Sequence, residues 1–373
     1  MRLPGSLRMS TTAPEMIGES PEALVILADD LTGAADAAVA FTRTCSDVRV
    51  DMNGLVPRPG SVVAWSSDTR DMEPAQLKER IQTVLRDLPT STIFFKKVDS
   101  VFRGNTFAEI REVLSTRDYD LAVLAPAYPQ MGRRVEKGIL QIDDVTGSQS
   151  LNLAQELPET SLLLAGLPSD EIVAHFKTVL DQGRRVLLCD AHKQEHLETV
   201  ARAAQSLQIR VLWIGSGGLA HALATASSAV TPPLPVQRRP AGIACYFVGS
   251  DHPVTLRQTA RLESGCKPGS FFLKKVLRGH TRESEIQSAL AENGKPPIGA
   301  LVMTGGDTAR LVCHVLGISA IRLLREFVPG VPLGVAIGGA YDGTPLLLKS
   351  GGFGSDNLLC DVQAEFSNQE AYF

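Results

Sequence analysis

The chain has 373 residues, which is too long for one compact core, and its 44% hydrophobic and 21% charged residues are typical of a soluble globular protein. Its formal net charge is -4 with both signs interspersed, which argues against nucleic acid as the main partner. No apolar stretch is long enough to span a bilayer, so we expect no membrane partner.

Residues 1–21 contain prolines and glycines but no apolar run, and they predict a disordered extension and not a signal peptide. The apolar run at residues 23–28 predicts a strand that is covered on both faces. Later apolar runs predict further strands at residues 62–65, 93–95, 121–124, 186–189, 211–214, 244–248, 300–303 and 335–337. Each run ends in a polar or Gly-rich segment and a helical pattern, which predicts parallel sheets flanked by helices.

Helix signals lie between these strands. Pro74 occupies the position of a first helical residue and precedes an apolar stripe. Thr106 and Glu109 have the spacing of a capping box, which would begin another helix. Residues 307–316 read as a helix that ends at Gly317.

A Pro-rich segment at residues 231–240 predicts a linker between two domains, at residues 22–230 and 241–373. Open parallel sheets bind ligands at the carboxyl ends of their strands, where this chain places carboxylates, cations and glycines. We therefore predict an α/β protein with two domains. Each domain would have a largely parallel sheet flanked by helices, with the active site in the cleft between them.

Signals for redox or metal chemistry are weak. The six cysteines are scattered and form no Cys-x-x-Cys motif, which predicts reduced thiols and a cytoplasmic protein. His192 and His196 stand four residues apart, but no third ligand lies near them in the sequence. The sequence therefore assigns no metal ligands.

Two Gly-rich turns stand out in the second half of the chain. Each follows an apolar run, the first at Gly305 and Gly306 and the second at Gly351 and Gly352. Backbone N–H groups with no side chain in front of them can face a phosphate, although either turn alone is equally explained as a tight bend. Together, and with Lys349 beside the second turn, they favour a nucleotide.

Acids and cations follow the strands of the first half. Asp29 and Asp30 directly follow the first strand, where one of them would cap the next helix and the pair would also face a ligand. Arg70 would clamp a substrate carboxylate through two N–H groups, or else form a surface ion pair of little energetic value.

A second charged segment follows the strand at residues 93–95. Within it, the candidate ligand residues are Lys97, Asp99, Ser100, Arg103 and Asn105. A solvated loop can carry such residues by chance, but cations around an aspartate directly after a buried strand favour a ligand role. A kinase needs acids and cations on one side and a phosphate-binding turn on the other.

Seven segments of the chain resemble, in order and over nearly all of residues 22–365, the motifs of the four-carbon acid sugar kinases. The segments are residues 28–34, 67–70, 96–105, 125–133, 215–220, 304–309 and 349–354. The form of the segment at residues 96–105 is most similar to the D-threonate kinase branch. Val101 and a short stretch at residues 266–300 depart from the pattern, which leaves the preferred substrate open.

The resemblance implies an N-terminal domain for the acid sugar and a C-terminal domain for ATP. It implies ATP- and Mg²⁺-dependent phosphorylation of the 4-hydroxyl of threonate or erythronate. By motif position, the acid would be held by Asp30, Arg70, Lys97, Asp99 and Ser100, and ATP by Ser250, Gly305, Gly306, Asp307, Thr308 and Gly352. Either Asp30 or Asp99 would accept the proton of the attacking hydroxyl.

The sequence leaves the oligomeric state open, with a homodimer as one possible assembly. It also leaves two other functions open. One alternative is a sensor that binds a small acid and a nucleotide without turnover. The other is a sugar-acid dehydrogenase or isomerase, which the absence of a Gly-x-Gly-x-x-Gly motif after the first strand disfavours. The P-loop motif is also absent, so a kinase here would belong to another class.

Overall fold

The computed structural model of the chain describes residues 22–227, 242–276, 283–291 and 297–367. The predicted extension at residues 1–21 and the predicted linker at residues 231–240 lie outside them. The described residues form alternating strands and helices in both halves of the chain, which confirms the α/β class.

Strands are numbered in chain order. In the first half they are β1 (Leu24–Ala28), β2 (Val48–Asp51), β3 (Val62–Ser66), β4 (Ile93–Lys97), β5 (Leu121–Ala125), β6 (Arg133–Glu136), β7 (Ile139–Asp144), β8 (Gly147–Asn152), β9 (Ser161–Leu163), β10 (Val186–Cys189) and β11 (Val211–Gly215). In the second half they are β12 (Ile243–Val248), β13 (Phe271–Lys275), β14 (Ile298–Thr304), β15 (Ala320–Val328), β16 (Val331–Ile337) and β17 (Pro345–Lys349). All nine predicted strands are therefore present.

The helices alternate with these strands. They are α1 (Leu31–Val39), α2 (Pro74–Arg86), α3 (Thr106–Thr116), α4 (Leu153–Glu156), α5 (Ser169–Asp181), α6 (Gln194–Gln205), α7 (Gly217–Ala226), α8 (Pro253–Gly265), α9 (Glu283–Ala291), α10 (Gly306–Val315) and α11 (Leu358–Ser367). None of the helices in the described ranges has the length and apolar content needed to cross a membrane.

Fourteen of the described strands form one sheet. Its order is β13-β12-β14-β17-β16-β15-β2-β3-β1-β4-β11-β5-β10-β9. The strands from β2 to β9 in this order are all parallel, and so are β13, β12, β14 and β17. The two halves are joined where β15 pairs antiparallel with β2, with Ile321 opposite Val50. This connection between the two predicted sheets has no counterpart in the sequence patterns.

The direction of β16 was predicted wrongly. This strand runs antiparallel to both β15 and β17, so its carboxyl end lies at the opposite edge of the sheet from those of β14 and β17. Gly338 and Gly339 follow β16 and therefore do not join Gly305 and Gly351 at the same edge. A buried apolar strand reads the same in either direction, which is why the sequence misled here.

Helix α1 lies between the two halves. All nine of its residues are buried, and it contacts β1 and β3 of the first half as well as β15, β16, β17 and α10 of the second. Five of the nine are alanine or glycine, and such small side chains allow close packing on several neighbours at once. The position of α1 brings the amino end of this helix, in the first half of the chain, against the second half.

The predicted capping box at the start of α3 is wrong. Thr106 is the first residue of the helix, and its N-cap Asn105 makes no side-chain cap. Glu109 does not reach back to the helix start, because its buried carboxylate pairs with Lys96 at 2.8 Å. The six cysteines are free thiols, in agreement with their scattered positions.

Candidate active site

Two adjacent aspartates occupy the carboxyl end of β1. Asp30 is the N-cap of α1, and its Oδ1 accepts a hydrogen bond from the Gly33 N–H at 2.6 Å, as the helix pattern predicted. Asp29 is buried, and its Oδ1 has no hydrogen-bond partner among the residues that the structure describes. Burial, together with the neighbouring Asp30 carboxylate, raises the pKa of Asp29 to about 6.

Arg70 joins these aspartates to a third. Its Nε donates to Asp29 at 2.6 Å, Nη1 to Asp30 at 2.8 Å and Nη2 to Asp99 at 3.2 Å. Burial alone would lower the pKa of Arg70, but the three carboxylates outweigh it and raise the pKa above its usual value. Arg70 is therefore the cation around which the acidic groups are arranged.

Asp99 is held entirely as an acceptor. Its Oδ1 accepts from the backbone N–H groups of Val101 and Arg103, and its Oδ2 accepts from the guanidinium groups of Arg70 and Arg103. Burial alone would raise the pKa of Asp99, but the two arginines outweigh it and the pKa lies well below its ordinary value. A carboxylate so strongly stabilised in its ionised form is a poor proton acceptor.

The two lysines of β4 face different surroundings. Lys97 is nearly buried, and its Nζ lies 3.5 Å from the Asp36 carboxylate on α1. Lys96 is fully buried and pairs with Glu109, whose other oxygen accepts a hydrogen bond from the Thr69 hydroxyl. This ion pair supports the chain immediately before Arg70, and the sequence patterns did not indicate it.

Ser100 and Asn105 differ in placement. Ser100 is half-buried in the turn directly after Asp99. The Asn105 side chain donates to the carbonyl oxygens of Thr69 and Met72 at 2.8 and 2.6 Å. Its backbone N–H donates to the carbonyl oxygen of Arg70. Asn105 therefore fixes the loop that carries Arg70.

The first Gly-rich turn lies beside the loop that follows β12. Gly305 has a φ of 91°, a conformation that favours glycine, and it precedes the first residue of α10. A Cβ atom on Gly305 would lie 3.7 Å from the Ser250 nitrogen. Thr308, in the first turn of α10, contacts Gly249 so closely that a side chain there would collide with its hydroxyl. The loops after β12 and β14 are thus in direct contact.

The second Gly-rich turn joins the same cluster. A side chain on Gly351 would collide with the Ser250 hydroxyl, and one on Gly352 would lie 3.2 Å from the His252 ring. The predicted nucleotide residues of three separate loops therefore converge at the carboxyl ends of β12, β14 and β17. Asp307 follows Gly306 in the first turn of α10, where a helix presents free N–H groups.

The two halves of the site meet at Asp30. A Cβ atom on Gly306 would lie 2.7 Å from the Asp30 Oδ2, so the amino end of α10 abuts this carboxylate. At the second turn, the Ser350 hydroxyl is 3.1 Å from that of Thr32 on α1. The sequence placed Asp30 and Gly306 at strand ends, but the contact between them depends on how the two halves of the chain pack.

An ion pair closes the rim of the site between Arg310 on α10 and Asp68 after β3, at 2.9 Å. The sequence contains no signal for this pair, because a charged residue on an exposed helix face is ordinary.

The described residues include no group of three or more His, Cys, Asp or Glu side chains placed to hold a metal, and His192 and His196 are not part of one.

Comparison with protein families covers both halves of the chain. A model described as a sugar-binding N-terminal domain matches residues 24–223, and one described as a nucleotide-binding C-terminal domain matches residues 274–359. The D-threonate kinase of Cupriavidus necator is 29% identical over 403 aligned residues, covering 90% of this chain and 96% of the relative. The chain belongs to the four-carbon acid sugar kinase family.

Other members of the family are similar over the same extent. The D-threonate kinase of Salmonella typhimurium is 25% identical to this kinase, with 91% of this chain and 97% of the relative covered. The D-erythronate kinase of Heliobacterium modesticaldum is 24% identical, with 90% and 95% covered.

Solved structures share the fold of this kinase. A Salmonella typhimurium LT2 protein superposes with a TM-score of 0.69 at 20% identity, covering 92% of this chain and 99% of its own. A Haemophilus influenzae protein superposes with a TM-score of 0.64 at 19% identity, covering 92% and 100%. These likenesses concern the fold alone.

The pKa of Asp29 predicts an acidic limit to the activity of this kinase. Protonation of Asp29 would remove one of the three charges that hold Arg70, so we expect kcat/KM to fall as the pH drops through about 6. The effect on folding has the opposite sign. The folded-state pKa lies above the ordinary 3.8, so as the pH falls from about 6 toward 3.8 this group makes the folded state more stable.

The pH profile of kcat/KM, measured for the wild type and for Asp29→Asn, checks this prediction. We expect the acidic limb near pH 6 to be absent in the variant, whose side chain does not titrate. An identical limb in both enzymes would assign it to another group.

Proposed function

We propose that this kinase transfers the terminal phosphoryl group of ATP to the 4-hydroxyl of a four-carbon acid sugar, with D-threonate as the first candidate. The observation that carries the proposal is the approach of Asp30 to Gly306, because it brings an acidic group beside the turn that we propose binds phosphate. Of the curated relatives, those named D-threonate kinase are 25 to 29% identical to this chain, and they support the choice of acid.

The proposed acid site is built around Arg70. A guanidinium group has five N–H donors, and three of them bind Asp29, Asp30 and Asp99. Among the residues that the structure describes, no further acceptor takes the other two donors, and in this proposal they bind the carboxylate or a hydroxyl of the substrate. Arg103, whose side chain is 61% exposed beside Asp99, and the Lys97 ammonium group add positive charge for an anionic substrate.

Of the two predicted proton acceptors, Asp30 fits the role better than Asp99. Two arginines donate to Asp99, and they lower the pKa of this group, which makes it the weaker proton acceptor. Asp30 faces Gly306, where the phosphoryl group would pass between the two halves. In this proposal Asp30 accepts the hydroxyl proton, and Asp99 keeps Arg70 and Arg103 in place.

Kinases use Mg²⁺ to neutralise the charge of the transferred phosphoryl group. The residues present fit this ion, because the Asp30 carboxylate abuts Gly306 and would repel a bound phosphate without a cation between them. Mg²⁺ needs only one or two protein carboxylates in addition to phosphate oxygens and water. Asp307, in the first turn of α10, is the carboxylate that would hold it.

The location of the protein in the cytoplasm and its assembly into a homodimer stay predictions.

A coupled ADP-release assay across D- and L-threonate, D- and L-erythronate and 3-dehydrotetronate tests the proposed function. We expect acid-dependent ADP release in the presence of Mg²⁺, with the highest kcat/KM for D-threonate. Binding of an acid and of ATP without ADP release would indicate the sensor. A change in nicotinamide absorbance would indicate a dehydrogenase.

A further inference from the structure

Lys349 is a buried cation without a carboxylate partner in the described parts of the chain. It ends β17, and its side chain has no exposed surface. Its Nζ donates to the Thr255 hydroxyl at 2.8 Å and to the carbonyl oxygens of Ser350 and Gly351 at 3.0 and 2.8 Å. An ammonium group has three N–H donors, so these acceptors use all of them.

The hydrogen bonds of Lys349 determine which groups the second Gly-rich turn presents. The carbonyl oxygens of Ser350 and Gly351 point toward the ammonium group beneath the turn, and the Thr255 hydroxyl also donates to Gly351 at 2.7 Å. No acceptor in the described residues takes the backbone N–H of Gly351 or Gly352. The turn therefore directs its acceptors inward and keeps N–H donors for an anion.

We propose that Lys349 is a positioning residue for the nucleotide, which holds the Ser350 and Gly351 carbonyl oxygens away from the phosphates and supplies a positive charge beneath them. This inference rests on the proposed function, in which the turn binds ATP. Lys349 itself does not touch the nucleotide in this arrangement. The alternative is that the lysine only stabilises the fold.

The protonation of Lys349 distinguishes these two roles. Burial lowers its pKa to about 7, and a neutral amine has only two N–H donors for the three acceptors. A bound phosphate favours the charged form, so nucleotide binding above pH 7 should take up a proton. His252 is the titratable group that faces this region from the amino end of α8. Burial and the cations Lys349, Arg103 and Arg133 lower its pKa and outweigh the Asp144 carboxylate, which raises it.

Calorimetric titration of the whole enzyme with ADP, in two buffers of different ionisation enthalpy at about pH 8, measures this uptake. The nucleotide itself is fully ionised there, because the second pKa of a phosphate ester is about 6. We expect net proton uptake in the wild type and its loss in Lys349→Met. Because Lys349 also lowers the pKa of His252, the same titration of His252→Gln is the control, and the proton uptake should persist in that variant. A wild type that takes up no proton would overturn the proposal.

Affinity gives a second test. We expect Lys349→Met to raise the Kd for ADP about tenfold or more, because charged hydrogen bonds to the turn are lost. Thr255→Val should also raise it, whereas Thr255→Ser keeps the hydroxyl and should restore it. A wild type that binds no ADP would contradict the proposed function. A wild type that binds ADP, with Lys349→Met within threefold of it, would contradict only this inference.

Discussion

Arg70→Ala should lower kcat/KM by roughly 30-fold to several thousand-fold, corresponding to about 2 to 5 kcal/mol for a buried charged group that loses its partners. The structure gives the reason, because Arg70 contacts all three carboxylates of Asp29, Asp30 and Asp99. Its removal leaves like charges together in a nearly buried site, so the free energy of unfolding should fall as well.

Steady-state kinetics with the best acid and thermal unfolding of the same samples measure both effects. Arg70→Lys is the matched control, since a lysine retains the charge but cannot present the planar fork that reaches three carboxylates. We expect it to recover stability more than activity. A loss of kcat/KM below threefold in a folded Arg70→Ala protein would remove Arg70 from the site.

Asp30→Asn should lower kcat by about 10² to 10⁴, the usual contribution of a general base. The substitution is suited to this test because asparagine caps a helix about as well as aspartate, so the hydrogen bond from the Gly33 N–H can persist. The fold should therefore be retained, and the loss should reflect the missing proton acceptor.

Asp99→Asn is the comparison that separates the two candidate bases. Asp99 binds Arg70 and Arg103, so its variant should raise KM for the acid more than it lowers kcat. Rapid-quench or steady-state kcat values for both variants decide between them. A kcat for Asp30→Asn within threefold of the wild type, with a large loss of kcat in Asp99→Asn, would identify Asp99 as the general base.

The parts of the site that the sequence predicted are those set by local order along the chain. Asp30 caps α1 because it follows a strand and precedes a helix, and Gly305 precedes α10 for the same reason. The glycines and charges fall at strand ends, so the alternation of strands and helices placed them at an edge of the sheet. Local pattern was sufficient to place both groups of candidate residues at strand ends.

The parts that the sequence could not supply depend on contacts between distant segments. The spacing of Glu109 from Thr106 fits a capping box. In the structure Glu109 pairs instead with Lys96, because both side chains are buried opposite each other. The sequence showed only that Lys349 stands beside the second turn, whereas the position of its ammonium group beneath the turn depends on contacts with Thr255 and with the turn itself. The pairing of β15 with β2 joins the two halves and follows no local signal.

In the proposed reaction, the phosphoryl group passes between the Gly-rich turns and the acidic group at Asp30. A crystal structure of the enzyme with ADP and D-threonate tests this path most directly. We expect ADP phosphates at Gly305 and Gly351, with the 4-hydroxyl of the acid at Asp30 and pointing toward them. ADP bound elsewhere, or an acid remote from Asp30 and Arg70, would contradict the proposed path.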